Sequence, residues 1–237
     1  MKWSNYRAAL FDLDGVLTPT TDLHRRAWSQ MFNDYLRGRG VTDPYTDDDY
    51  FAYVDGKPRY QGVAAFLNSR GIELPFGDPG DAPAIESVAG LGNRKNEYFN
   101  QVLARDGIQP YPGSLKLLNQ LRRIELPMAV VSSSRNARAV LESAGITGYF
   151  ELVMDGNLAG ELDLPGKPAP DVFVRAAEMI GVTPAEAVVL EDALSGVTAG
   201  AAGGFGLVVG IDRGAGVQPL TDAGADLVVA DCEELLA

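Results

Sequence analysis

Short, unbroken apolar runs punctuate the chain: Ala8-Ala9-Leu10-Phe11, Met128 to Val131, Val188 to Leu190, Leu207 to Val209 and Leu227 to Val229. Each is too short for a helix and lacks the alternation of a strand with one wet face. Each therefore predicts a strand buried on both sides, as in a parallel sheet. Helical spacing fills the intervals, in Leu115-Leu117-Leu118-Leu121, in Val140-Leu141-Ala144 and in Val172-Phe173-Ala176-Ala177-Ile180. Strand alternating with helix from residue 108 onward predicts an α/β fold: a Rossmann-like parallel sheet with helices on both faces.

Residues 21–105 carry a different pattern. Leu23, Ala27, Met31, Tyr35 and Leu23, Trp28, Phe32, Leu36 follow helical spacing, with Thr21 or Asp22 as N-cap. Thr46-Asp47-Asp48-Asp49 predicts another helix start, its acids favourable to the helix dipole. Tyr60, Val63, Ala64 and Leu67 predict a third helix, and Tyr98, Phe99, Val102 and Leu103 a fourth. Leu74 to Pro83, with its Pro, Gly and Asp, predicts a loop. No strand pattern is present in this block. The chain is thus expected to form a core from residues 1–20 and 106–237, with an α-helical insertion at 21–105.

Composition narrows the classes. The 237 residues carry 20 Lys and Arg against 32 Asp and Glu, a net charge of −12. That excess of acid argues against nucleic acid or an anionic membrane as partner. No apolar run approaches the ~18 residues of a membrane span, and the amino end does not read as a signal peptide. One Cys and one His exclude an internal disulfide and a Cys/His metal cluster. The expected location is cytoplasmic, and Cys232 is expected to be structurally silent. Any phosphate must be held by local charge, since the global field repels it.

Candidate chemistry follows from the sheet. Ligands of open parallel sheets gather beyond the carboxyl ends of the strands. After the first run comes Asp12-Leu13-Asp14-Gly15; after the second, Ser132-Ser133-Ser134-Arg135-Asn136; after the third, Glu191-Asp192; and Gly166-Lys167-Pro168 precedes a predicted helix. Two carboxylates 4 Å apart repel by about 4 kcal/mol at an effective dielectric near 20. Three or four in one cleft therefore call for a cation, and an all-oxygen ligand set selects a hard ion, with Mg²⁺ the expected occupant. Lys167, Ser132 and the ion would suit a phosphoryl group.

These residues resemble the haloacid dehalogenase superfamily of phosphotransferases. Its four motifs occur in order: Phe11-Asp12-Leu13-Asp14-Gly15-Val16-Leu17-Thr18, then Ser132, then Lys167 in Gly-Lys-Pro-Ala-Pro-Asp, then Leu190-Glu191-Asp192-Ala193-Leu194-Ser195-Gly196. The resemblance covers essentially the whole chain and implies a mobile helical cap domain inserted after the first motif. It implies Asp12 as nucleophile, forming an aspartyl-phosphate, and Asp14 as general acid/base. Ser132 would bind a phosphoryl oxygen, and Lys167 would offset charge on the nucleophile. Metal ligands would be Asp12, the backbone carbonyl of Asp14, and Asp192, with Glu191 nearby or coordinating.

A narrower resemblance is to the β-phosphoglucomutase-like subfamily. Thr20, His24 and Trp28 lie in a stretch similar to its hinge. Arg59, in Val54-Asp55-Gly56-Lys57-Pro58-Arg59, resembles its cap arginine for a distal phosphate, and Lys95 its cap lysine near the sugar. Ser134, Arg135 and Asn136 match its core contacts to a second phosphate. The resemblance implies a small phosphorylated sugar as substrate, glucose 1-phosphate or glucose 1,6-bisphosphate, and a monomer is the default expectation. A Mg²⁺-dependent sugar-phosphate phosphatase, and a non-catalytic phosphosugar-binding protein, are the alternatives on the same fold. His24, Trp28, Arg59 and Lys95 also have plain readings as packed or solvated residues of a helical bundle.

Overall fold

Six strands, not five, build the sheet. In chain order they are β1 (Ala8–Phe11), β2 (Met128–Val131), β3 (Leu152–Met154), β4 (Ala187–Glu191), β5 (Leu207–Ile211) and β6 (Leu227–Val229). All pair in parallel in the order β3-β2-β1-β4-β5-β6, with helices on both faces. The helices are α1 (Thr20–Gly38), α2 (Asp47–Asp49), α3 (Arg59–Ser69), α4 (Val88–Asp106), α5 (Pro112–Arg123), α6 (Ala137–Ser143), α7 (Gly156–Glu161), α8 (Asp171–Met179), α9 (Leu194–Ala202) and α10 (Val217–Asp222). This computed structural model describes every residue except 55, 56 and 58, so part of the Val54-to-Arg59 motif lies outside the described residues.

The chain divides into two compact units, Met1–Thr20 with Ile108–Ala237, and Thr21–Gly107. In the first, β1 is central: Phe11 pairs with Val130 of β2 on one side and with Leu190 of β4 on the other. That register sends the segments after β1, β2 and β4 off the same sheet edge, which is what brings the motifs together. β1, β2 and β4 are buried along their whole length, explaining their unbroken apolar character. Leu10, Val131, Val189, Phe173 and Phe205 belong to the core beneath the site, Phe173 meeting Phe205 edge-on at 6.0 Å. Each fully buried side chain of this kind contributes about 1.5–3 kcal/mol.

The second unit is helical, with an aromatic centre. Phe32 of α1 lies 4.2 Å from Phe66 of α3 and 5.3 Å from Trp28, ring centre to ring centre, and Tyr45 stands edge-on to Phe66 at 4.9 Å. The helix expected at Thr46 is one turn only. Thr46 and Asp49 cap it reciprocally, and the backbone then widens into a π turn over Tyr50–Val54. α1 begins at Thr20, so Thr21 and Asp22 lie inside its first turn instead of capping it.

The segment between α3 and α4 has no regular structure but is tied down. Asn93 donates to the carbonyls of Pro79 (3.0 Å) and Asp81 (2.9 Å), Arg94 Nε to that of Pro83 (2.8 Å), and Ser87 Oγ caps α4 by accepting from Gly90 N (2.9 Å).

Candidate active site

The first motif is a closed loop at the end of β1. Asp12 N donates to the Leu190 carbonyl at 2.9 Å, extending the ladder by one residue. Leu17 N and Thr18 N both donate to the Leu13 carbonyl, and Gly15 N to that of Thr18. Gly15 sits at φ 80°, and a Cβ there would strike the Asp192 carboxylate, so two independent reasons require glycine. Thr20 is fully buried and its hydroxyl donates to the Asp14 carboxylate. Thr20, which lies in the hinge-like stretch, is thereby bonded to Asp14.

Lys167 is the centre of charge. Its Nζ donates to Asp12 Oδ1 at 2.5 Å, to Glu191 Oε2 at 2.7 Å and to the Val131 carbonyl at 2.9 Å, using all three ammonium protons. Burial alone would lower its pKa, but the Asp12 and Glu191 charges outweigh burial and hold it well above the ordinary lysine value. Glu191 is the last residue of β4, not the first beyond it, and points into the buried layer. Its Oε1 accepts from Ala193 N at 3.1 Å, so both of its oxygens already have protein donors.

The Asp12, Glu191 and Asp192 carboxylates converge, with one oxygen of each lying within 4.8 Å of the others. One ammonium against three carboxylates leaves two negative charges unmatched. Burial, with the Asp12 charge, pushes Glu191 up to about 7 against the pull of Lys167. Burial, with the charges of Glu191, Asp12 and Asp14, pushes Asp192 up to about 9. An oxygen-only cluster short of two positive charges fits a hard divalent cation. With Glu191 taken by Lys167 and Ala193, the carboxylates of Asp12 and Asp192 are the better placed donors.

The segment after β2 is a nest of short turns. Ser132 is buried, its N donating to the Met154 carbonyl and its Oγ accepting from Ser134 N at 3.1 Å; Ser134 Oγ accepts from Asn136 N at 3.2 Å. Asn157 Nδ2, which the sequence reading passed over, donates to the Arg135 carbonyl at 3.0 Å. Buried Asp155 caps α7 through Asn157 N and Leu158 N and pairs with Arg138 at 3.1 Å. Arg135 is exposed and lines a cleft of about 280 Å³ with Ser132, Ser133 and Gly156. The Asp-Gly-Asn run 155–157 was the available signal, a helix cap directly after an apolar triplet.

In the helical unit, Lys95 is 3% exposed and its Nζ lies 2.6 Å from His24 Nδ1. An ammonium only donates, so Nδ1 accepts. Burial, then the Lys95 and Arg59 charges, lowers the His24 pKa well below its ordinary value and keeps the imidazole neutral. Arg59 Nη2 donates to Asn96 Oδ1 at 2.9 Å. Trp28 is 5% exposed and stacked on Phe32 in the aromatic centre. Cys232 is buried, and burial pushes its thiol up to about 11, in keeping with an inert side chain.

The sequence profile of the haloacid dehalogenase-like hydrolases matches residues 6–204. The chain is 50% identical over 241 aligned residues to a β-phosphoglucomutase of Mycobacterium bovis, covering 97% of this chain and 91% of that protein. It is 28% identical to a validoxylamine A 7'-phosphate phosphatase of Streptomyces hygroscopicus subsp. limoneus, covering 97% and 96%. A crystal structure of a CbbY variant from Rhodobacter sphaeroides in complex with xylulose-(1,5)bisphosphate superposes with a TM-score of 0.73 at 26% identity, covering 97% of this chain and 96% of that one. No helix among the described residues is long and apolar enough to cross a membrane.

Proposed function

The chain belongs to the haloacid dehalogenase-like hydrolase family, and from that premise we propose that it is a sugar phosphate mutase of the β-phosphoglucomutase type. The carrying observation is the Lys167 ammonium bonded at once to Asp12 and Glu191 beside Asp192. It holds one carboxylate oxygen of Asp12 and damps the charge that repels an incoming phosphate.

In this reading Asp12 carries the phosphoryl group at the start. The 6-hydroxyl of β-glucose 1-phosphate attacks that phosphorus, its proton passes to Asp14, and the bond to Asp12 breaks, giving glucose 1,6-bisphosphate. The bisphosphate turns round and Asp12 attacks the phosphorus on C1. As that P–O bond breaks, Asp14 returns the proton to the sugar oxygen and glucose 6-phosphate leaves. Proton transfer of this kind is worth about 10²–10⁴-fold in rate. Thr20 orients Asp14, Ser132 donates to a phosphoryl oxygen, and Arg59, Lys95 and Ser134 to Asn136 recognise the sugar and its second phosphate. Mg²⁺ bound by Asp12, Asp192 and the Asp14 carbonyl would neutralise charge on the transferring group.

Hydrolysis is the second reading, favoured by the phosphatase among the similar proteins. One assay separates the two. The protein is incubated with Mg²⁺, β-glucose 1-phosphate and a trace of glucose 1,6-bisphosphate, and glucose 6-phosphate and inorganic phosphate are followed together. Glucose 6-phosphate is expected in large excess. Stoichiometric inorganic phosphate without it removes the mutase, and Asp12→Asn retaining turnover removes the aspartyl-phosphate from both.

A further inference from the structure

Arg213 follows β5, two strands from β1 with β4 between them, yet its guanidinium ends on the first motif. Nε donates to the Gly15 carbonyl at 2.8 Å, Nη1 to the Ala230 carbonyl at 3.1 Å and Nη2 to Asp231 Oδ2 at 3.4 Å. The guanidinium carbon lies 3.9 Å from the centre of the Tyr111 ring, a stacking distance. Its anchors are themselves fixed. Asp231 Oδ1 accepts from Glu233 N at 2.9 Å, and its carboxylate occupies the space beside Gly113 where a Cβ would go.

Three consecutive loop carbonyls are held from outside the loop. Arg213 takes Gly15, Ser114 Oγ takes Val16 at 2.6 Å, and Tyr111 N takes Leu17 at 2.9 Å. Gly15, Val16 and Leu17 are all buried, but Gly15 has no side chain to pack. The approach of Asp192 forbids a side chain there, and a glycine so required is also the loosest hinge in the loop. Its peptide needs an external restraint, and the planar fork of an arginine supplies one while serving two further acceptors.

We propose that Arg213 is a positioning residue for phosphoryl transfer. By holding the Gly15 peptide it keeps the Asp14 carboxylate, one residue earlier, where the sugar oxygen gains and loses its proton. This rests on reading Asp12 and Asp14 as nucleophile and acid/base. A plain strap between β5, β6 and α5 would stabilise the fold and leave the rate alone.

The test compares Arg213→Ala, Arg213→Lys and, as a surface control, Arg175→Ala, whose partner Glu178 lies one turn away on α8. Substrates are β-glucose 1-phosphate and p-nitrophenyl phosphate, with Mg²⁺, well below the melting temperature. A small misplacement of a catalytic group costs about 10²-fold, so kcat of Arg213→Ala is expected to fall ~30–100-fold with KM changed less than about twofold. Millimolar methylguanidinium is expected to restore several-fold of that loss in Arg213→Ala and to leave the wild type unchanged. Arg213→Lys, a point charge without the fork, is expected to fall about tenfold. Wild-type kcat in Arg213→Ala overturns the proposal, as does a loss that tracks melting temperature and resists rescue. Should Arg213→Ala not fold, wild-type kcat in Arg213→Lys overturns it. A wild-type protein inactive on both substrates sinks the phosphoryl-transfer reading instead.

Discussion

At the scale of single residues, the acids of the site dictate where side chains must be missing. Gly196 lies in the first turn of α9, where alanine is ordinarily better than glycine by about 1 kcal/mol. A Cβ at 196 would meet the Glu191 carboxylate, which cannot swing away because Lys167 and Ala193 N hold both its oxygens. Gly196→Ala is therefore expected to lower the melting temperature, by an overpacking cost of ~1–3 kcal/mol, and to cut phosphoryl transfer at least ~10-fold. Gly160→Ala in α7 is the contrast, since nothing lies within 4 Å of its new methyl, and it is expected to be neutral or stabilising with full activity. Thermal melts and initial rates of the two variants check the pair; a Gly196→Ala protein that is stabilised and fully active would show that Glu191 is free to move.

At the scale of elements, what was legible followed from periodicity, and what was not depended on tertiary partners. Asp12, Asp14, Ser132, Glu191 and Asp192 could be gathered on one edge from strand runs, because parallel strands buried on both faces leave an unmistakable apolar signature, and Lys167 joined them from its place before a predicted helix. β3 escaped notice because it is three residues long with Leu152 only half-buried, and α7 because its six residues carry no apolar stripe. The bond of Thr20 to Asp14 and that of Arg213 to Gly15 could not be read from the sequence, since both are contacts made across loops. The stretch predicted as a loop from Leu74 to Pro83 is irregular but pinned, and Asn93 is its main pin. Asn93→Ala leaves the Pro79 and Asp81 carbonyls without that donor. It is expected to speed limited proteolysis between residues 77 and 83 several-fold, while the melting temperature shifts by no more than about 2 °C, as local opening is cheaper than global unfolding. Unchanged cleavage would place the restraint in Arg94 and Tyr60.

At the scale of the whole molecule, a chain of net charge −12 gathers three of its acids around the single ammonium of Lys167, and these acids make its stability depend on pH and cation together. Glu191 and Asp192 have folded pKa values raised to about 7 and about 9, chiefly by burial and then by neighbouring carboxylates. Between the ordinary carboxylate range near pH 4 and those values, the folded protein keeps protons that the unfolded chain has released. Stability without a divalent ion must then fall as pH rises from about 5 to about 9. Lys167, raised by Asp12 and Glu191 despite burial, stays charged throughout that window and adds no slope. His24, lowered by burial and the nearby cations, acts oppositely: its stabilising contribution is present above about pH 6.5 and lost as pH falls below it. Mg²⁺ separates the two effects, because it requires ionised carboxylates and has no bearing on His24. At a concentration of about 100 Kd it adds ~2.7 kcal/mol, or roughly 5–10 °C for a chain of this size. The gain on adding MgCl₂ is expected to be near zero at pH 5 and to grow steadily to pH 8, read by thermal melts at each pH. Asp192→Asn, which removes the most strongly raised acid, is expected to flatten the metal-free slope and to abolish most of the Mg²⁺ gain. An increment equal at pH 5 and pH 8 would mean that the ion binds somewhere other than beside Asp12 and Asp192.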